Sequence, residues 1–193
     1  TPKPSSAASD VYKRQELEQR WYAFSVAKAT KFTAAMVMDD TADFDLYVYK
    51  LNETDGTLEL VGGSAIVGAG TQELSMLKLD EGIYFIGIEA ATGNGSFLMY
   101  TYAGVNDGKE INDTTDLASS YVRNSRMTAT IDSPFDYDYY KVVISKNDIL
   151  EYTFDQPTGC DYKVLVYDGK NYYTINNGTY RLNTGTYLSL IHI

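Results

Sequence analysis

The amino-acid sequence predicts an all-β protein built of two consecutive copies of one module, and three observations carry the prediction. The first is an internal repeat. Trp21-Tyr22-Ala23-Phe24-Ser25-Val26 is matched 118 residues later by Tyr139-Tyr140-Lys141-Val142-Val143-Ile144, and Asp43-Phe44-Asp45-Leu46-Tyr47-Val48-Tyr49 falls at the same offset on Asp161-Tyr162-Lys163-Val164-Leu165-Val166-Tyr167. Leu79-Asp80-Glu81-Gly82-Ile83-Tyr84 returns as Leu182-Asn183-Thr184-Gly185-Thr186-Tyr187 at an offset of 103. The second copy is therefore shorter by 15 residues between these blocks, where the first carries the glycine-rich stretch 53–70. The second observation is alternation of apolar and polar residues with a period of two, the mark of half-buried strands. The third is turn chemistry at regular spacing: Asp55-Gly56, Glu81-Gly82, Asn94-Gly95, Asp107-Gly108, Asp168-Gly169 and Asn177-Gly178. Short strands punctuated in this way form a sandwich or a barrel.

The elements follow in order along the chain. Tyr22, Phe24 and Val26 share one face of a first strand, as Tyr140, Val142 and Ile144 do in its repeat. In 43–49, Phe44, Leu46 and Val48 point one way and Asp43, Asp45, Tyr47 and Tyr49 the other. Further strands are expected at 58–61, 73–79, 83–89, 96–102, 127–131 and 149–154. The stretch 116–122, with Thr114 or Thr115 as N-cap, is the one expected short helix. Abundant tyrosine with little proline suits strands throughout.

The two ends stand apart from this pattern. Ser5 to Gln15, SSAASDVYKRQ, resembles a translated transposon-end sequencing adapter, and the terminal LSLIHI resembles the reverse complement of the same adapter. Such scars are set aside before fold reasoning. The expected organisation is 1–15 adapter-derived, 16–104 a first module truncated at its N-terminus, 105–187 a second module truncated at its C-terminus, and 188–193 adapter-derived. Both ends are expected to pack poorly and to carry no function, although LSLIHI is apolar enough to be drawn into a strand beside Tyr187. The second copy is also expected to lack the strands corresponding to 85–102.

Composition excludes several functions. Residues 16–187 contain 13 basic and 25 acidic residues, a net charge of −12, which repels nucleic acid phosphates and anionic lipid. A calcium ion is a better partner for such a segment. No apolar run is long enough to span a membrane. The lone Cys160 excludes an internal disulfide and any multi-cysteine zinc site, and it reads as a small buried hydrophobe near a strand. The single histidine, His192, lies in the terminal scar, so residues 16–187 cannot build a Ser/His/Asp or Cys/His arrangement and offer zinc no imidazole. A carboxylate pair for glycoside hydrolysis is not singled out by any spacing. The chain is not expected to be an enzyme.

At this point the residues resemble a known family, the bacterial pre-peptidase C-terminal domain, whose members include the collagen-binding domains of clostridial collagenases. The resemblance rests on Asn112-Asp113-Thr114 with Ala118, on Ile131-Asp132 before Asp136-Tyr137-Asp138-Tyr139-Tyr140-Lys141-Val142, on Asp161-Tyr162, and on Leu182-x-x-Gly185-x-Tyr187. In the first copy it rests on the Asp43 to Tyr49 run and Leu79-x-x-Gly82-x-Tyr84. It implies two consecutive jelly-roll-like β-sandwiches, both truncated, in a secreted or cell-surface protein. It also implies attachment to an exported parent enzyme, a protease above all, with no catalysis of their own.

Two sets of residues are candidate sites. Glu110, Asn112, Asp113, Asp136 and Asp138 could supply the six to eight oxygens that calcium requires, and the collagen-binding relatives resemble this in holding calcium where an acidic linker meets the sandwich. The same residues also suit turns and caps. Asp43 and Asp45 could ligate as well or merely terminate a loop, and the loop reading is favoured. Trp21, Tyr47, Tyr49, Tyr139 and Tyr167 project from the outer strand faces, where aromatics grip extended ligands or else pair across strands. The expected function is a non-catalytic accessory module that binds or targets an extracellular protein or polysaccharide polymer, the two copies acting together across the short linker 104–110. The alternative is a structural spacer or secretion-assisting segment without a specific ligand.

Overall fold

The computed structural model describes residues 19–105 and 107–192. Every regular element among them is a strand. The chain divides into two compact units at Gly104/Val105.

In the first unit, β1 (Gln19–Val26), β6 (Gly82–Gly93), β3 (Ala42–Leu51) and β4 (Leu58–Ser64) form one sheet in the order β1-β6-β3-β4. A second sheet has the order β5-β2-β7, from β5 (Gln72–Leu79), β2 (Thr30–Met38) and β7 (Phe97–Val105). The alternation seen in the sequence decides which side chains meet. Phe44, Leu46 and Val48 of β3 and Tyr84, Ile86 and Ile88 of β6 face Phe32, Ala34, Met36 and Met38 of β2 in one buried core. Phe24 stacks between Phe32 (4.6 Å) and Tyr84 (5.5 Å), and Phe44 meets Phe97 edge-on at 5.8 Å. This is a sandwich, two sheets joined by their apolar faces. Gly93 closes β6 with φ +73°, and a Cβ there would stand 2.3 Å from the Thr41 carbonyl oxygen, so the turn toward β7 needs glycine.

The second unit repeats the arrangement. One sheet has the order β12-β11-β14-β9-β8, from β8 (Ser119–Ser120), β9 (Asp138–Ile144), β11 (Lys163–Tyr167), β12 (Tyr172–Thr174) and β14 (Gly185–His192). The other pairs β10 (Asp148–Tyr152) with β13 (Gly178–Leu182). Strands β9 to β14 stand in the places of β1 to β6, and the register is the same. Phe24 lies opposite Tyr84 as Val142 lies opposite Tyr187, Tyr49 opposite Phe85 as Tyr167 opposite Leu188, and Phe32 opposite Leu77 as Leu150 opposite Tyr180. The added β8 runs parallel to β9.

Several expectations from the sequence are corrected here. The helix expected over 116–122 does not form: Leu117 N–H reaches Thr114 O at 3.1 Å in a single turn, and Ser119–Ser120 then joins the sheet edge as β8. The strand expected over 127–131 is irregular. The terminal residues 188–192 do not pack poorly. Leu188 to His192 complete β14, the counterpart of the middle of β6, pairing with β11 on one side and, from Leu188 to Ile191, with β9 on the other. Leu190 is buried, and the His192 ring stacks 4.2 Å from Tyr137. The expected lack of strands corresponding to 85–102 thus holds for β7 alone among the described residues. The expected N-terminal scar, 1–15, lies outside the described residues. Strand β2 was not anticipated; its run Ala34-Ala35-Met36-Val37-Met38 lacks a period of two.

Candidate metal centre

The five acidic-cluster residues come from two places distant in sequence. Residues 107–113 run alongside the start of β9, where Tyr139 N–H donates to Asn112 O at 2.9 Å. That bond brings Glu110, Asn112 and Asp113 beside Asp136 and Asp138. All five are buried, with Asn112 and Asp136 having no exposed surface at all. One carboxylate oxygen each from Glu110, Asp136 and Asp138 lie within 4.8 Å of one another.

Each of the surrounding hydrogen bonds fixes one side of this arrangement. Asp136 accepts the Asp132 N–H. Asp113 Oδ1 accepts the Tyr137 N–H at 3.3 Å. Asp138 Oδ2 accepts the Tyr140 hydroxyl at 2.8 Å, and burial followed by the charge of Asp138 holds the Tyr140 phenol well above its ordinary pKa. Lys109, next to Glu110 in the chain, directs its ammonium to Thr128 O at 2.9 Å and to Asp107 at 3.8 Å.

The Asn112 amide occupies the centre. In one orientation its Nδ2 donates to Tyr139 O at 3.3 Å and its oxygen faces Glu110 Oε2 and Asp138 Oδ1, at 3.0 and 3.1 Å. Turned over, its nitrogen donates to both carboxylates and the bond to Tyr139 is lost. The second orientation is the one its neighbours favour, because the amide nitrogen then donates to both carboxylates where the oxygen would face only acceptors. The donors are all oxygen, with neither imidazole nor thiolate, which fits a hard divalent cation and does not fit zinc. Calcium therefore fits the residues present.

The aromatic candidates divide between the units. On the outer face of the first unit, Trp21, Gly87, Tyr47 and Gly63 lie in one row across β1, β6, β3 and β4. Trp21 is 45% exposed, 5.4 Å from Tyr49, which is 6.4 Å from Tyr47. Gly87 forms the floor: a Cβ there would lie 3.1 Å from the Trp21 ring and 3.4 Å from Tyr49. Tyr47 donates to Asp45 Oδ2 at 3.0 Å, and burial first, then this bond, push its phenol up to about 12. On the second unit, Tyr167 stacks on Tyr172 at 4.7 Å. Burial and the nearby Tyr172 raise the pKa of half-buried Tyr139.

Asp43 does act in a loop: its Oδ2 accepts the Gly68 N–H at 3.1 Å. Sequence reasoning missed Glu73, which is fully buried opposite Met36; its Oε1 accepts the Ile66 N–H at 3.0 Å, and Oε2 has no hydrogen-bond partner. An acidic residue at a core-facing position of an alternating strand was the signal for it. No family model matches the sequence, and no curated protein matches it.

Proposed function

We propose that this chain is a calcium-binding, non-catalytic accessory module of an exported protein, which holds an extracellular protein or polysaccharide polymer on its aromatic outer face. One observation carries the calcium part: carboxylate oxygens of Glu110, Asp136 and Asp138, all three side chains buried, come within 4.8 Å of one another. A divalent cation there would offset the repulsion among these groups and tie residues 110–113 to the start of β9, ordering the segment that leads into the second unit. The glycine-floored row of Trp21 and Tyr47, with Tyr49 beside it, supports the polymer part, because flat aromatics over a glycine give a ligand broad contact at low entropic cost. The resemblance to pre-peptidase C-terminal domains supports export and attachment to a parent protease.

Tyrosine-sensitised terbium luminescence tests the cation site, since Tyr137, Tyr139 and Tyr140 adjoin it in sequence. The expected result is a saturable signal displaced by calcium and lost in Asp138→Asn. Pull-down on insoluble collagen, cellulose, chitin and peptidoglycan tests the surface, with Tyr47→Ala, Tyr49→Ala and Tyr167→Ala as controls. Retention on one polymer that the substitutions weaken is expected. Failure on every polymer would favour a spacer or secretion-assisting segment, and turnover of any of them would overturn both.

A further inference from the structure

We propose that the first unit binds a calcium ion of its own at the loop between β4 and β5, held by the carboxylates of Asp43 and Glu73 together with oxygens of residues 66–71. The inference is independent of the site at Glu110, Asp136 and Asp138, which belongs to the other unit. It starts from two carboxylates that the interior of a sandwich does not ordinarily admit. Glu73 of β5 is fully buried, and Asp43, near the start of β3, is 6% exposed. Each turns one oxygen to the same loop: Glu73 Oε1 accepts the Ile66 N–H at 3.0 Å, and Asp43 Oδ2 accepts the Gly68 N–H at 3.1 Å. The other oxygen of each, Glu73 Oε2 and Asp43 Oδ1, is buried without a hydrogen-bond partner among the described residues. Neither side chain forms an ion pair with a described residue.

The loop adds more oxygen than it has protons to match. Thr71 Oγ1 stands 2.8 Å from Gly68 O, 3.1 Å from Ile66 O and 3.4 Å from Glu73 Oε1. A hydroxyl carries one proton, so three acceptors gather about a single donor. Gly70 N–H, on Ala42 O at 3.0 Å, fastens the same loop to the residue before Asp43. Two carbonyls, a hydroxyl and two carboxylates are thus brought to one short stretch of chain.

The repeat supplies a comparison within the chain. At the offsets of 118 and 103, Asp161 takes the place of Asp43 and Asn176 that of Glu73. The second copy is shorter where the first carries its glycine-rich stretch, and there both positions are exposed. The carboxylates are buried only in the copy that has the loop, so loop and buried charge occur together. A buried carboxylate oxygen without a partner is costly, and a cation shared with the loop would offset that cost. The donor set is oxygen throughout, from carboxylate, carbonyl and hydroxyl, which is the set that calcium takes when it collects six to eight ligands with water completing the shell.

The test is a calcium titration of the full, isotope-labelled chain followed by amide NMR, which reads the two units separately. Saturable shifts are expected at Ile66, Gly68, Gly70 and Thr71. Asp43→Asn and Glu73→Gln are nearly isosteric and keep an oxygen for the bonds from Gly68 and Ile66, so both should fold in EDTA. Each should weaken the calcium response of residues 66–71 by about tenfold or more, since affinity follows the charge of the ligand set, and leave the response of residues 110–113 as in the wild type. The absence of a saturable shift at 66–71 would overturn the proposal whatever residues 110–113 do, and so would a response that both substitutions leave unchanged. A response at 66–71 without one at 110–113 would uphold it and overturn the site at Glu110 instead.

Discussion

Replacing Asp136 by Asn should stabilise the second unit without calcium and cost it stability gained with calcium. The substitution is nearly isosteric, and its remaining oxygen still accepts the Asp132 N–H. What changes is charge. Carboxylate oxygens of Glu110, Asp136 and Asp138 lie within 4.8 Å of one another, and two unit charges at that distance repel by about 3.5 kcal/mol at an effective dielectric constant of 20. Asp136 takes part in two such pairs. After relaxation of the side chains, removal of its charge in EDTA should contribute roughly 2–4 kcal/mol, a rise in melting temperature on the order of 10 °C for a domain this small. In calcium the gap between the two proteins closes. A cation at a hundred times its dissociation constant stabilises the wild type by about 2.7 kcal/mol, and a site lacking one carboxylate gains much less at the same concentration. Differential scanning calorimetry of both proteins in EDTA and in millimolar calcium reads all four values. Asp155→Asn is the control, because Asp155 is 80% exposed and should change nothing in either buffer. A wild type whose melting is indifferent to calcium, or a variant less stable than wild type in EDTA, would refute the reasoning.

Three further outcomes are expected. Because the Tyr47 phenol is raised to about 12 in the folded state, the stability it contributes is complete below pH 10 and is lost as pH rises toward 12; ring-carbon NMR titration should show Tyr47 ionising late, and Asp45→Asn should bring it down. Deleting residues 188–193 should abolish the calorimetric transition of the second unit, since it removes the half of β14 that lies between β9 and β11 and buries Leu190. In EDTA, Glu73→Gln should stabilise the first unit by roughly 1 kcal/mol and so raise its melting temperature, because it keeps the bond from Ile66 and removes a buried charge whose Oε2 has no hydrogen-bond partner.

What could be read beforehand depended on whether the signal was local or relational. The two offsets implied that the second copy repeats whatever pairings the first has, and the registers of β1 and β3 on β6 and of β9 and β11 on β14 agree with that, but which strands pair was not legible in them. Strand β2 escaped because Thr33 and Ala35, on the side away from the core, are buried too. A strand covered on both faces has no alternation to display. The expected helix at 116–122 failed for a related reason: a cap and a few spaced apolar residues are a local signal, and Ser119–Ser120 instead found hydrogen-bond partners on the edge of β9.

The acidic cluster shows the limit more sharply. Composition pointed to Glu110, Asn112, Asp113, Asp136 and Asp138, but turn residues with the same composition lie elsewhere in the chain without converging. Asp55 and Asp168, for instance, each close a local turn, accept hydrogen bonds from residues two or three positions on, and have their carboxyls held below the usual range by those bonds. What separates the cluster from such turns is pairing at long range, Tyr139 N–H to Asn112 O and Tyr137 N–H to Asp113 Oδ1, which turns two ordinary acidic stretches into one buried site. Burial is then the discriminating quantity. A turn aspartate facing solvent costs nothing to leave charged, whereas several carboxylates buried within 4.8 Å of one another are the arrangement in which a shared cation has most to offset. The calcium dependence of melting is for that reason the measurement most directly tied to the fold itself.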